Sequence, residues 1–467
     1  MSPPPPFQYL GFDLDPAAGM LTCRYSTGER SFAERVSFAA DGRWAAPETL
    51  AAARLVFLLA GVSYYKTTAP SVIDLGSTAV TDAERDFLRS FYLDGLGEFA
   101  YRNELDLSGL RIEGPAAGGP GAGGLLDARG LLGAGAGGAG AGGAAAGDAA
   151  EPRRPLVPFG GGIDSIVTVE AVRRHTDPAL FIVGRPGDLF AAIEAPAATT
   201  GLPIVRAARE IDPQLLRSRE LGFRNGHVPV TGILSAIAVM TAALDGRDAV
   251  IMSNEWSASI PTLETGGLSI NHQYSKSLAF ETAFRGVVAG ALGGIDYFSF
   301  LRPFSELWVA QRFAALTQYH GTFRSCNRAF HIDRAKRLDH WCGRCDKCCF
   351  IDLILAPFLS PAELGAIFGG QEPLTDPDLG DSLAERFRTL LGTSAGSKPF
   401  ECVGETGECR AALLLAARRP DRAGAKLVQQ LAAELTAYPP PPGQAELLRP
   451  IGTHFIPDEY AADDLLV

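Results

Sequence analysis

Residues 155–165, PLVPFGGGIDS, constrain the fold of this chain more than any other stretch. A short apolar run, 156–159, ends in three glycines, and Asp164-Ser165 then opens an apolar stretch, 166–172, with the spacing of a helix. Strand, glycine turn and helix N-terminus in that order hold an anion well. Glycines let the backbone approach closely, and the first amides of the helix and its positive dipole end face the ligand. Because the chain carries 53 glycines, a triple glycine is not informative by itself. The other glycine clusters, however, lie in tracts without strand or helix patterning, whereas this one joins two apolar elements. It reads as a nucleotide-phosphate site made by Gly160, Gly161, Gly162, Asp164 and Ser165.

The same rhythm continues downstream. Segments 180–183, 203–207 and 249–252 read as strands, and 164–174, 189–199 and 229–243 as helices. Strands alternating with helices predict an α/β fold with a doubly wound parallel sheet. In such sheets ligands lie beyond the carboxyl ends of the strands. Two of those ends carry polar groups that a core would reject: 160–165 after the first strand, and Ser253-Asn254-Glu255 after the fourth.

Upstream, Leu10, Phe12 and Leu14, then Leu21, Cys23 and Tyr25, then 32–38, alternate as a small β-meander with a turn at 16–19. A helix is expected over 47–59, closed by Gly61. A second starts at a Thr81/Glu84 capping box, presents Phe87, Leu88, Phe91 and Tyr92 on one face, and stops at Gly95. These form an N-terminal α+β domain over 1–113. Tyr64, Tyr65 and Lys66 sit at its turn, as a strand end or a ligand contact. Residues 114–150 are nearly all Gly and Ala, bury too little apolar surface to offset ordering, and read as a linker. The nucleotide domain spans 151–358. The region 359–467 reads as helical, opened by Ser360-Pro361-Ala362-Glu363 with cap, N1 proline and N3 glutamate.

Charge and cysteine usage narrow the class. A net charge of −11 argues against nucleic acid as a partner. The N-terminus has no basic segment leading into an apolar core, so the protein is expected in the cytosol. Segment 225–244 lacks charged residues, but Pro229, Thr231, Gly232, Ser235 and Thr241 interrupt it, which fits a buried crossover helix better than a membrane span. Of eight cysteines, four crowd into 342–349, and with Cys326 they suggest a metal site. Cys326, Cys342, Cys345 and Cys348 supply four sulfurs with no open position, as structural zinc requires. An iron–sulfur cluster would use the same ligands, and Cys349 could replace Cys348. Cys402 and Cys409 read as ordinary thiols. Finally, 268–281, LSINHQYSKSLAFE, gathers Asn271, His272, Gln273, Tyr274, Ser275 and Lys276. It is either a binding surface or a solvated helix entrance with Ser275 as cap and Glu281 on the exposed face.

GGGIDS resembles the PP-loop of N-type ATP pyrophosphatases, SGGxDS, with Gly160 where that family usually has serine. Ser325-Cys326 with CGRCDKC resembles the zinc segment of the 7-cyano-7-deazaguanine synthases, with a longer gap. The whole chain is similar to the UDP-N-acetylmuramoyl-L-alanyl-L-glutamate epimerases, the MurL family, through FQYLGFDLD, GVSYYK, GGGIDS, SNEWSAS, NHQYSKSLAFE, CGRCDKC and PFECVG. Ile163 stands where lysine is expected in many relatives.

The resemblance implies ATP-dependent inversion of the terminal L-glutamate of a UDP-linked muramoyl dipeptide through an adenylated carboxylate, with AMP and pyrophosphate as products. It further implies amides at 160–165 and Ser165 on the pyrophosphate, and Asn254 beside the nucleotide. From their own chemistry, not from the resemblance, Asp164 and Glu255 are the candidates for Mg²⁺, His272 and Lys276, with Tyr274 third, for the epimerising pair, Glu255 for catalysis, and Cys326, Cys342, Cys345 and Cys348 for structural zinc. Two other readings stay open: an adenylating synthase of the deazaguanine type, and a zinc-stabilised binding module without catalysis.

Overall fold

The structure, a computed structural model, describes residues 5–117, 152–265, 268–331, 333–394 and 403–460. Most of the expected linker, residues 118–150, and Cys402 lie outside the described residues.

The strands are β1 (Phe7–Asp15), β2 (Met20–Thr27), β3 (Arg30–Ser37), β4 (Val72–Asp74), β5 (Arg111–Glu113) and β6 (Pro155–Pro158). They continue with β7 (Ala179–Gly184), β8 (Ile204–Glu210), β9 (Ala249–Met252), β10 (Leu263–Thr265), β11 (Leu268–Ile270) and β12 (Asp296–Ser299). Ten of them form one sheet in the order β12-β9-β6-β7-β8-β3-β2-β1-β4-β5, and β10 pairs with β11 as a separate hairpin. From β12 to β8 all pairings are parallel, with helices as crossovers, as the alternation predicts. The meander β1-β2-β3 is antiparallel, with the 16–19 turn closed by Gly19 N–H donating to Pro16 O at 3.2 Å.

The N-terminal strands are not a separate sheet. β3 pairs antiparallel with β8, Arg35–Ser37 against Ala208–Glu210, so one sheet crosses from the first hundred residues into the parallel half. Two cores lie on its two faces, and the period-2 alternation assigns residues to them. Val157, Leu180, Ile182, Ala249, Ile251 and Phe298 face one core, which the Ile163–Val172 helix and the C-terminal helices complete. Leu156, Phe181, Val250, Met252 and Tyr297 face the other, shared with the Pro47–Ala60 and Val230–Asp245 helices.

The Val230–Asp245 helix is 16 residues long and apolar all round, because sheet and helix cover it on both sides. Among the described residues no helix is long and apolar enough to cross a membrane. Both predicted capping boxes are present, Thr81 with Glu84 and Ser360 with Glu363. Tyr64 and Tyr65 are not at a strand end. They lie in the short Val62–Tyr65 helix, fully buried, with Tyr64 stacked on Tyr25 and hydrogen-bonded to Glu34 at 3.0 Å.

Candidate active site and metal centre

The strand order reverses at β6, whose neighbours β7 and β9 lead the chain to opposite sides of the sheet. A crevice at the carboxyl ends of β6 and β9 follows from that reversal, and both polar strand ends open into it. Gly162 is the N-cap of the Ile163–Val172 helix and provides no side-chain cap, so the first-turn amides face the crevice. Gly161 has φ +76° and is packed so closely that a Cβ would lie 2.4 Å from Ala192 O; only glycine fits there. At Gly160 a Cβ would meet nothing within 4 Å, so this departure from the PP-loop pattern leaves open space. Ile163 is 2% exposed and belongs to the core, so its side chain contributes packing at that position. Ser165 Oγ donates to Gly162 O at 3.1 Å and braces the turn.

Across the crevice, Ser299 grips the end of β9. Asn254 N donates to Ser299 Oγ at 2.6 Å, and that hydroxyl donates to Asn254 O at 2.7 Å. Ser253 Oγ is buried with no hydrogen-bond partner among the described residues. Glu255 is 4% exposed, and its charge reaches two glutamates that the sequence did not mark, joined at the first of them by Asp164. Glu306 opens the Glu306–Ala314 helix; burial first, then Glu255 and Asp164, raise its carboxyl well above the usual range, with Lys347 opposing. Glu408, at the start of the Thr406–Ala417 helix, is pushed up to about 8 mainly by burial. Its Oε2 accepts from Leu307 N at 3.1 Å, while Oε1 is buried without a partner among the described residues. Buried like charges of this kind suit a site that receives a cation together with a phosphate. In the sequence both glutamates look like ordinary first-turn helix residues, and nothing local distinguishes them.

His272 and Lys276 belong to a neighbouring cluster. Arg302, 1% exposed, joins the two. Its guanidinium donates to Glu281 Oε2 at 2.9 Å, to Glu255 O at 2.8 Å and to Lys276 O. Glu281 Oε1 in turn accepts from Ser299 N at 2.9 Å. Glu281 is therefore an internal strut and not on an exposed face, and the cap of the Leu278–Leu292 helix is Ser277, not Ser275. Replacing Arg302 by Met strands a buried carboxylate and should cost about 3–5 kcal/mol in urea unfolding. Adding Glu281→Leu should recover part of that loss. Tyr274 is mostly buried and its hydroxyl pKa is raised by burial, which suits a packing role.

The four predicted cysteines converge. Sulfur separations are 3.6 Å for Cys342–Cys348, 3.5 Å for Cys345–Cys348 and 4.0 Å for Cys326–Cys345. A tetrahedral ion with ~2.3 Å bonds sets its sulfurs about 3.8 Å apart, so the cage fits one four-coordinate ion. It is too tight for a cluster whose cysteines bind separate irons. Cys349 is 0% exposed within the apolar core and outside the tetrad. Cys409 is likewise buried. The cage abuts the crevice beyond β6, because a Cβ on Gly162 would lie 3.1 Å from Ser325 Oγ. A separate cleft of about 590 Å³ runs past the end of β7, lined by Ile182, Arg185, Phe190 and Arg206, and contains none of the carboxylates above.

The MurL N-terminal domain model matches residues 4–300 and the MurL C-terminal domain model matches residues 322–445. The chain is 37% identical to a UDP-N-acetyl-alpha-D-muramoyl-L-alanyl-L-glutamate epimerase of Salinispora tropica, over 97% of this chain and 94% of that protein. Proteins of the same name from Xanthomonas oryzae pv. oryzae and Micromonospora are 38% and 36% identical over 79% and 97% of this chain, and 75% and 96% of their own lengths. No solved structure matches.

Proposed function

This chain belongs to the MurL family of epimerases, and on that premise we propose that it inverts the terminal L-glutamate of UDP-MurNAc-L-Ala-L-Glu at the expense of ATP, as a cytosolic step in peptidoglycan precursor synthesis. It is an enzyme of the isomerase class. The observation that carries the ATP-dependent reading is the meeting of an uncapped helix N-terminus at 160–165 with buried carboxylates at the strand-order reversal.

The chemistry explains why a nucleotide is needed. Removing the α-proton beside an ionised carboxylate would place a second negative charge next to the first. Attack of that carboxylate on the α-phosphorus of ATP releases pyrophosphate and leaves an acyl adenylate whose carbonyl no longer carries the carboxylate charge, and this carbonyl accepts the electron pair of the broken C–H bond as an enolate. A base removes the proton from one face, a donor returns one to the other, and water then cleaves the acyl phosphate to release AMP.

In this scheme the amides at 160–165 and Ser165 hold the departing pyrophosphate, and Asn254 lines the nucleotide. Asp164 and Glu255 hold Mg²⁺, which would neutralise phosphate charge. His272 and Lys276 are the proton-transfer pair, and Cys326, Cys342, Cys345 and Cys348 hold structural zinc. The test is to incubate the protein with the UDP-linked dipeptide and ATP in D₂O. AMP, pyrophosphate and D-glutamate deuterated at Cα are expected. AMP formation only with a carboxylated deazaguanine and ammonia would refute the assignment in favour of a synthase, and absence of turnover with either substrate would refute both.

A further inference from the structure

At the seam between the N-terminal elements and the parallel half lies a polar cluster built from four separate chain segments. Glu98 comes from the short Gly97–Arg102 helix, His227 from the loop before Val230–Asp245, and His272 with Lys276 from the loop before Leu278–Leu292. Lys66 reaches it from the end of Val62–Tyr65. Glu98 is 6% exposed, and both its oxygens are committed: one accepts from Arg102 Nε at 2.6 Å, the other from His272 Nδ1. A carboxylate on Nδ1–H fixes the imidazole tautomer and leaves the lone pair on Nε2, turned away from Glu98. The His227 ring lies against that of His272, with centroids 4.2 Å apart and planes at 42°.

The His227 loop is held in place by three independent contacts. Lys66 Nζ donates to Asn225 Oδ1 at 2.8 Å and to Gly226 O at 3.1 Å, and Asn103 Nδ2 donates to Asn225 O at 3.3 Å. Gly226 has φ +157° and would bring a Cβ to 3.0 Å from Phe99, so the loop is seated directly on the Gly97–Arg102 helix. Burial first, then the neighbouring His272, lower the His227 pKa to about 4, so its ring is neutral at neutral pH. Glu98 goes the other way: burial raises its carboxyl, but hydrogen bonding and charge from His272, with smaller contributions from His227 and Arg102, bring it below the usual range. One imidazole is thus favoured as the neutral form and its neighbour is paired with an anion, the arrangement by which paired groups divide acid and base roles.

The donor atoms of Glu98, His227 and His272 lie within 4.8 Å of one another, which raises the question of a metal. The surrounding charge answers it. Among the described residues of the cluster, the carboxylate of Glu98 is set against Arg102, Lys66 and Lys276, and that balance of charge favours a carboxylate-bearing ligand over a cation.

We propose that this seam is the proton-transfer centre for the glutamyl residue, with His227 as a second proton-carrying group beside His272 and Glu98 as the positioning residue for His272. This rests on the epimerase reading given above. The Cα–H proton passes to His272 Nε2 as its electron pair enters the enolate; His227 takes that proton on towards solvent, and Lys276 supplies the new one and is reprotonated from water. Lys66 holds the His227 loop and adds positive charge beside it.

The test uses the full chain with ATP and the UDP-linked dipeptide, and follows ATP–pyrophosphate exchange and Cα deuterium incorporation separately in His227→Gln, His227→Gly and Glu98→Gln. The expected result is a loss of Cα exchange of about 100-fold or more in each variant, with ATP–pyrophosphate exchange within a few-fold of wild type. Free imidazole should restore part of the exchange in His227→Gly, and Glu98→Asp should restore part of what Glu98→Gln loses, neither of which a purely structural role would give. Cα exchange at the wild-type rate overturns the proposal, as does equal loss of both activities in folded variants. A drop of one metal equivalent per chain in His227→Gln would overturn it in favour of a metal site. If wild type itself shows no ATP–pyrophosphate exchange, the reading beneath the proposal fails instead.

Discussion

Asp164→Asn and Glu255→Gln should each reduce ATP–pyrophosphate exchange by about 10²- to 10³-fold, the scale on which pre-organised charge at a reacting phosphate is felt. Asp164 lies in the first turn of the Ile163–Val172 helix and Glu255 just beyond β9, and both contribute to the field that drives Glu306 towards its neutral form. The same variants should melt at a higher temperature than wild type. Removing one carboxylate from a crowded acidic group relieves repulsion that the folded state otherwise carries, and sites built for ligands hold such strain at the expense of stability. Melting curves alongside exchange assays therefore separate this account from simple damage. Loss of activity with loss of stability would count against it, and retained exchange in both variants would end it.

Breaking the cysteine cage should have the second large effect. Structural zinc contributes apparent binding free energies of about 10–16 kcal/mol in zinc-finger peptides, as much as the whole stability of a typical domain. Cys342→Ser or Cys345→Ser should abolish a stoichiometry of about one zinc per chain and unfold the surrounding region. Among its described residues, segment 320–345 has only short helical turns, and Cys326, Trp341 and Cys348 belong to the core completed by the C-terminal helices. Hydrogen exchange should accelerate first in Asp346–Leu355 and Thr406–Ala417, while Pro47–Ala60 and Val230–Asp245, in the other core, keep their protection. Cys349→Ser serves as the control, since that thiol is buried outside the cage and its loss costs packing alone. Brown protein containing iron and sulfide would refute the zinc assignment.

The elements legible in the sequence were those with a local cause. The alternation of Leu21, Cys23 and Tyr25, the glycine turn after 156–159 and the two capping boxes are set by neighbours a few residues away. Spacing likewise located the cysteine cage, since the tight turns of nested CxxC pairs bring sulfurs together wherever they sit. What escaped depends on distant partners. Nothing near Arg35 or Ala208 announces that β3 will pair with β8, and β12, four residues long, is too short for its alternation to stand out. Glu98 and His227 are 129 positions apart, and in isolation each looks like a surface residue. Likewise Arg302 is one arginine among many until Glu281 and the two loop carbonyls surround it.

The pairing of β3 with β8 bears on how such a gene can be divided. Split at the glycine-rich tract, the second fragment would present β8 as a bare edge, with backbone donors and acceptors unmatched along 208–210, and would expose the apolar side of Val230–Asp245 that the first fragment normally covers. Neither piece is a module that could be borrowed, fused or inherited alone. A polypeptide interrupted there would yield two products that have to be made together and find each other, as the halves of a complementation reporter do.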